Sequence, residues 1–257
     1  IKVEVTPYDL LITPDGSRLY VSSWSSKSIS VIDTAAGKVV KSIPTGHNPN
    51  DMDLGADGRL YVANGNENTV TVIDTKALTP IETISVALTS KAPEGATPNG
   101  LALDKRNNML FVANADNNCV AAVSVAKPGQ SQVLGFIPAG WYPSALHLTP
   151  KSKLYVGNSQ GLRPFANPEG PHSPLAKKGA PNTQSIKHIQ KGTVNIVNFQ
   201  VNGTWALGGT SSTTAQAWGT IHANATAHGK PWTRIIPGSV RGNYWMVESS
   251  GPTCTII

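Results

Sequence analysis

Leu60-Tyr61-Val62-Ala63-Asn64 and, one polar turn later, Val70-Thr71-Val72-Ile73-Asp74-Thr75 are the two runs that decide the fold class. Their apolar residues recur with a period of two, which places one side of each run in a core and predicts strands. The pair then repeats. Leu19-Tyr20-Val21 precedes Ile29-Ser30-Val31-Ile32-Asp33-Thr34, and Leu110-Phe111-Val112 precedes Val120-Ala121-Ala122-Val123-Ser124-Val125. Leu154-Tyr155-Val156 precedes Val194-Asn195-Ile196-Val197-Asn198. A spacing of about 40 to 50 residues is the mark of a repeat architecture.

Working outward, a proline stands 11 or 12 residues before each core, at Pro7, Pro49, Pro98 and Pro143. Between proline and core lies a short alternating run: Leu10 and Ile12, Met52 and Leu54, Leu101 and Leu103, Leu146 and Leu148. Turns such as Pro14-Asp15-Gly16 and Ala56-Asp57-Gly58 then supply the glycine that a tight hairpin needs. A fourth run closes the units, as in Val39-Val40-Lys41-Ser42-Ile43 and Ile81-Glu82-Thr83-Ile84. Four strands per unit predict an all-β chain, a β-propeller of four-stranded blades. A sandwich would give no reason for the register to restart four times. A blade gains its core from its neighbours, so four blades with open ends leave two apolar faces in water. The expectation is therefore a four-bladed ring or a piece of a larger one.

Composition narrows the function classes. Of 257 residues only 14% are charged, and the formal charge of +6 is spread along the chain except in one loop, which argues against nucleic-acid binding. Cys119 and Cys254 fit no zinc or CxxC spacing and are expected to be unpaired thiols. No apolar run approaches the roughly 20 residues of a membrane span. Ile1-Lys2-Val3-Glu4-Val5 alternates like a strand and has neither an initiator Met nor a signal-peptide layout, so it reads as an interior cut or a processed end.

Leu-Tyr-Val-x-Asn, Val-Ile-Asp-Thr and the Pro-Asp-Gly turn together resemble the YVTN-family β-propeller repeat of secreted and cell-surface bacterial and archaeal proteins. Three further stretches are similar to one subgroup: Ala92-Pro93-Glu94-Gly95-Ala96-Thr97-Pro98-Asn99, Phe111 to Asn118, and Leu134 to Pro143. In that subgroup a seven-bladed propeller precedes an alkaline-phosphatase-like phosphoesterase domain. The resemblance runs from about Pro7 to about Phe199 and implies a periplasmic or extracellular location, with four of seven blades visible. No segment resembles the start of the phosphoesterase domain, so none of its catalytic residues is carried over. Domain organisation is expected as blades over 1–202, an inserted loop over 158–191, and an unassigned tail over 203–257. For that tail a small domain, disorder and an aberrant sequence remain alternatives.

The innermost runs carry Asp9, Asp51, Asp53 and His147, which around an axial channel offer oxygen and nitrogen ligands to a divalent cation. The competing reading is a solvated polar lining, and no cofactor or metal ligand is assigned. Trp24, Trp141 and Tyr142 lie beside blade loops, where they would stack on a sugar or another flat ligand, or simply pack. Asp33 and Asp74 are expected to accept turn N–H groups. The insertion carries Arg163, Lys177, Lys178, Lys187 and Lys191 with His172 and His188 against one acid, Glu169, a composition suited to an acidic partner surface or to a solvated loop. No GxSxG, P-loop, HExxH or GxGxxG motif follows a strand. The preferred function is a non-catalytic module that binds a protein or a small molecule at its channel or loops. The rivals are a metal-dependent, lactonase-like hydrolase using Asp53 and His147, and a purely structural surface repeat.

Overall fold

In the computed structural model the four copies form four antiparallel sheets of four strands, each a simple meander in chain order. The first is β1 Pro7–Ile12, β2 Arg18–Ser23, β3 Ser28–Asp33 and β4 Lys38–Pro44; the second is β5 Pro49–Leu54, β6 Arg59–Asn64, β7 Thr69–Asp74 and β8 Thr79–Ser85. The third is β9 Pro98–Asp104, β10 Met109–Asn114, β11 Cys119–Ser124 and β12 Gln132–Pro138. The fourth is β13 Pro143–Leu148, β14 Lys153–Asn158, β15 Thr193–Val201 and β16 Trp205–Gly209. The structure describes residues 1–150, 153–161 and 191–197 and the backbone of 198–201 and of strands β16, β17 Arg234–Pro237, β18 Trp245–Glu248 and β19 Thr255–Ile256. The inserted loop's basic residues from Arg163 to His188, and Cys254, lie outside the described residues.

Turn chemistry explains the hairpins. Gly16 and Gly58 adopt φ of 71° and 83°, and the Asp15 carboxylate accepts the Ser17 N–H at 3.1 Å. Asp33 Oδ1 accepts the Ala36 N–H at 2.8 Å, and Asp74 Oδ1 accepts those of Lys76 and Ala77 at 2.7 and 3.0 Å, the turn role expected for both. The threonines that follow them also have a use: Thr34 and Thr75 each donate their hydroxyl at 2.6 Å to the glycine carbonyl of the preceding hairpin, Gly16 or Gly58.

The first strands of successive sheets lie side by side, β1 against β5, β5 against β9 and β9 against β13. Strand alternation then divides each Leu-aromatic-Val core between two neighbours. Leu60 and Val62 pack with Tyr20 of the preceding sheet, whereas Tyr61 packs with Leu110 and Val112 of the following one. Phe111 in turn packs with Leu154 and Val156. Among the described residues three apolar seams result, each fed by two sheets, and a fully buried Leu, Val or Phe in them contributes about 1.5–3 kcal/mol. Cys119 is buried in the seam between the second and third sheets as a free thiol, and burial pushes its pKa up to about 12.

Two regions differ from the strand pattern expected of the sequence. Residues 1–6 form no strand, because Thr6 adopts φ of 57°, which breaks any extended run from Val3 into β1. The fourth sheet takes its last strand, β16, from beyond residue 202, and β17, β18 and β19 pair as a further three-stranded sheet.

Candidate functional site

Each sheet is entered through the same backbone device. The residue before each entry proline, Thr6, Asn48, Thr97 or Tyr142, has φ of 57°, 54°, 52° or 57°. This left-handed conformation is costly for a side chain larger than glycine, and it turns the carbonyl toward the loop between the second and third strands. There it accepts a backbone N–H: Trp24 to Thr6 at 2.8 Å, Gly65 to Asn48 at 2.9 Å, Ala115 to Thr97 at 3.0 Å and Ser159 to Tyr142 at 2.9 Å. Asparagines lock the same loops sideways. Asn68 Oδ1 accepts from the Gly95 and Ala96 N–H groups, and Asn118 Oδ1 accepts from the Tyr142 N–H. The entry end is thus a rigid rim of loops.

Aromatic side chains stand on that rim. The rings of Tyr8 and Trp24 lie 5.5 Å apart at a tilt of 31°. Trp24 lies directly over Gly65, where an added Cβ would come within 2.8 Å of the indole, and Asn48 Nδ2 donates to the Trp24 carbonyl at 2.8 Å. Trp24 is half-buried and Tyr8 exposed. Trp141 and Tyr142, both half-buried, occupy the linker into β13. Burial raises the Tyr142 phenol pKa, and the Asp116 carboxylate and Tyr8 add to the rise. Asp116 itself accepts the Thr97 hydroxyl.

The carboxylates do something other than line an open site. Asp9 Oδ2 accepts the Met52 N–H at 3.1 Å, Asp51 Oδ2 accepts the Leu101 N–H at 2.6 Å, and Asp53 Oδ2 accepts the Leu103 N–H at 2.8 Å. In every case an acid on one inner strand holds a main-chain donor on the next. Burial pushes the Asp51 carboxyl up to about 6 against its bond from Leu101, with the Asp9 charge contributing, and burial likewise raises Asp53. In the third sheet the matching position is Gly100, whose Cβ would sit 3.3 Å from the Ser144 carbonyl, so glycine replaces the carboxylate by close approach. His147 is exposed on β13 and is not gathered with the three acids. Among the described residues no three His, Cys, Asp or Glu side chains are grouped to hold a metal ion.

The opposite end has its own cross-links, which the sequence reading did not anticipate. Arg18 donates to the Thr75 carbonyl at 2.5 Å and Arg59 to the Val125 carbonyl at 2.6 Å, each reaching the end of the third strand in the following sheet. Arg59 is also paired with Asp57 at 2.6 Å and sits over the Tyr61 ring. The signal available was the basic residue immediately before the Leu-aromatic-Val core.

No protein-family model matches the chain, and no curated protein matches it. Solved structures do. The chain is similar to hydrazine synthase of Kuenenia stuttgartiensis, at 17% identity and a TM-score of 0.53, over 100% of this chain and 78% of that one. It is similar to U3-55K at 13% identity and a TM-score of 0.53, over 96% and 71%. A third likeness, to the periplasmic gluconolactonase of Pseudomonas aeruginosa, has 19% identity and a TM-score of 0.50, over 60% of this chain and 50% of that chain. In this chain the four-stranded meanders set their first strands side by side. The chain has a β-propeller fold. At these identities the likeness is one of fold alone, and the propeller's function has to be argued from its own residues. Each four-stranded meander is a blade, and the entry-end rim is where the loops of all the blades meet. Among the described residues no helix is long and apolar enough to cross a membrane.

Proposed function

We propose that this propeller is a non-catalytic binding module that takes a ligand or partner at its entry end, against Tyr8, Trp24, Trp141 and Tyr142. The observation that carries the reading is the engagement of Asp9, Asp51 and Asp53 with main-chain donors of the next blade. Acids tied into a seam are poor candidates for nucleophile, base or cation ligand. The Tyr8–Trp24 pair, in contrast, presents a broad flat surface on a rigid mount, the arrangement that stacks on a sugar ring or a planar group. The repeat residues support a propeller of the YVTN type. We extend the proposal accordingly: the module acts outside the cytoplasm, in the periplasm or at the cell surface, beside an alkaline-phosphatase-like phosphoesterase domain.

A hydrolase reading competes, because the Asp51 carboxyl is raised to about 6 and one structural neighbour is a gluconolactonase. A single set of measurements separates the two. Glycan-array binding of the chain is expected, weakened about tenfold by Trp24→Ala, the loss of one aromatic stacking contact. Hydrolysis of δ-gluconolactone with added calcium is expected to be absent. Hydrolysis that disappears in Asp53→Ala would replace the binding reading with the hydrolase one.

A further inference from the structure

Tyr142 departs from the rule that the other blade-entry residues follow. Thr6, Asn48 and Thr97 share its left-handed backbone, and each uses its side chain to tie the rim: the Thr6 hydroxyl pairs with that of Ser25 at 2.8 Å, Asn48 donates to the Trp24 carbonyl at 2.8 Å, and Thr97 donates to the Asp116 carboxylate. The Tyr142 phenol has no such partner among the described residues. A bulky side chain is costly to hold at positive φ, and strain of this kind collects where a structure has a use for it.

The ring is firmly mounted. The Tyr142 N–H donates to Asn118 at 2.9 Å and its carbonyl accepts the Ser159 N–H at 2.9 Å, and Asn118 lies two residues from Asp116 in the same loop. Burial is the first cause of the raised Tyr142 pKa, and Asp116 and then Tyr8 add to it, so both stand within electrostatic reach of the phenol. Tyr8, 56% exposed, has Trp24 beside it at 5.5 Å. Asp116 is exposed, and the ion pairs among the described residues, His47–Glu67 and Arg59–Asp57, leave it without a cation. Lys27, the base of the Trp24 loop, lies at the far end of that loop, where its carbonyl accepts the Thr45 N–H.

Aromatic faces are electronegative, and beside an unneutralised carboxylate they favour a cation over a neutral or anionic group. We propose that the entry end selects a small organic cation bearing a quaternary ammonium group, with Tyr8, Trp24 and Tyr142 as aromatic walls and Asp116 as countercharge. The proposal rests on the reading of the entry end as the binding face and names the chemistry that face takes. A quaternary ammonium has no N–H to donate, so ring faces and charge are all that it requires.

Isothermal titration calorimetry of the full chain tests it, with choline and with the uncharged carbon analogue in which a tert-butyl group replaces the trimethylammonium. Choline is expected to bind about tenfold more tightly than the analogue, and Tyr8→Ala to weaken choline about fivefold. Asp116→Asn, whose amide oxygen still accepts the Thr97 hydroxyl, should narrow the preference for choline. Tyr142→Phe keeps the ring and should bind choline as the parent does. Circular dichroism verifies the fold of each variant. Equal affinity for choline and the analogue, choline binding unchanged in Tyr8→Ala, a preference unchanged in Asp116→Asn, or loss of choline binding in Tyr142→Phe overturns the proposal. A chain that binds glycans but not choline overturns the cation site and leaves the binding module standing.

Discussion

At the residue scale, the recurring theme is a charged or amide side chain holding the backbone of the next repeat. Asp51 and Asp53 are held in seams at a cost, and the cost fixes a pH dependence. Burial raises both carboxyls above the value of 3.8 expected in an unfolded chain, Asp51 to about 6. Between those limits the folded state binds more protons than the unfolded one, so stability falls as pH rises through the window. Asp15 and Asp74, exposed and lowered by turn hydrogen bonds, act only below that window. The melting temperature is therefore expected to be higher at pH 5 than at pH 7. Asp51→Asn, which keeps an acceptor for the Leu101 N–H, should flatten the slope. A melting temperature that rises from pH 5 to pH 7 would contradict this account. Sequence reasoning placed Asp33 and Asp74 correctly because their partners lie two or three residues away. It could not place Asp9, Asp51 and Asp53, whose partners lie 43 to 50 residues along the chain. Polar residues on inner strands carry no local sign of whether they meet water or a neighbouring backbone.

At the scale of the element, one register position tells two stories. Leu10 and Leu101 stand three residues after their entry prolines, on β1 and β9, and pair with the equivalent valines Val21 and Val112 in their own blades. Leu101→Ala removes apolar volume from a seam and is expected to cost about 2–5 kcal/mol in denaturant unfolding. Leu10→Ala changes an exposed side chain and should stay within about 0.5 kcal/mol. Equal effects would mean that the seams do not follow the described packing. The strands themselves were legible, since alternation and glycine turns fix β1 to β15 closely. The strand β16 was not, because Trp205-Ala206-Leu207-Gly208-Gly209 lacks the alternating pattern of the other closing strands and finds its place only by pairing with β15.

For the whole molecule, stability is close to a sum over seams, and the blades do not share them equally. Among the described residues the second and third blades each contribute to two seams, whereas the first and fourth contribute to one. Amide hydrogen exchange on the dilute chain is therefore expected to be slowest in β6, β7, β10 and β11, by roughly tenfold or more over β2 and β14. Uniform protection would indicate that the end faces are covered in solution. The repeat made the propeller readable from sequence. The pairing of unlike faces across each seam was not readable, because it depends on which side of a strand each residue of the core faces.

The left-handed residue at each blade entry separates what a loop holds on to from what a loop presents. Its carbonyl fixes the mouth through a backbone bond that asks nothing of neighbouring side chains. Linkers as different as residues 45–48 and residues 86–97 end in the same geometry. Such a mount works like a standard socket: a linker can be lengthened, shortened or exchanged for one with a different recognition surface while the ring beneath it keeps its shape.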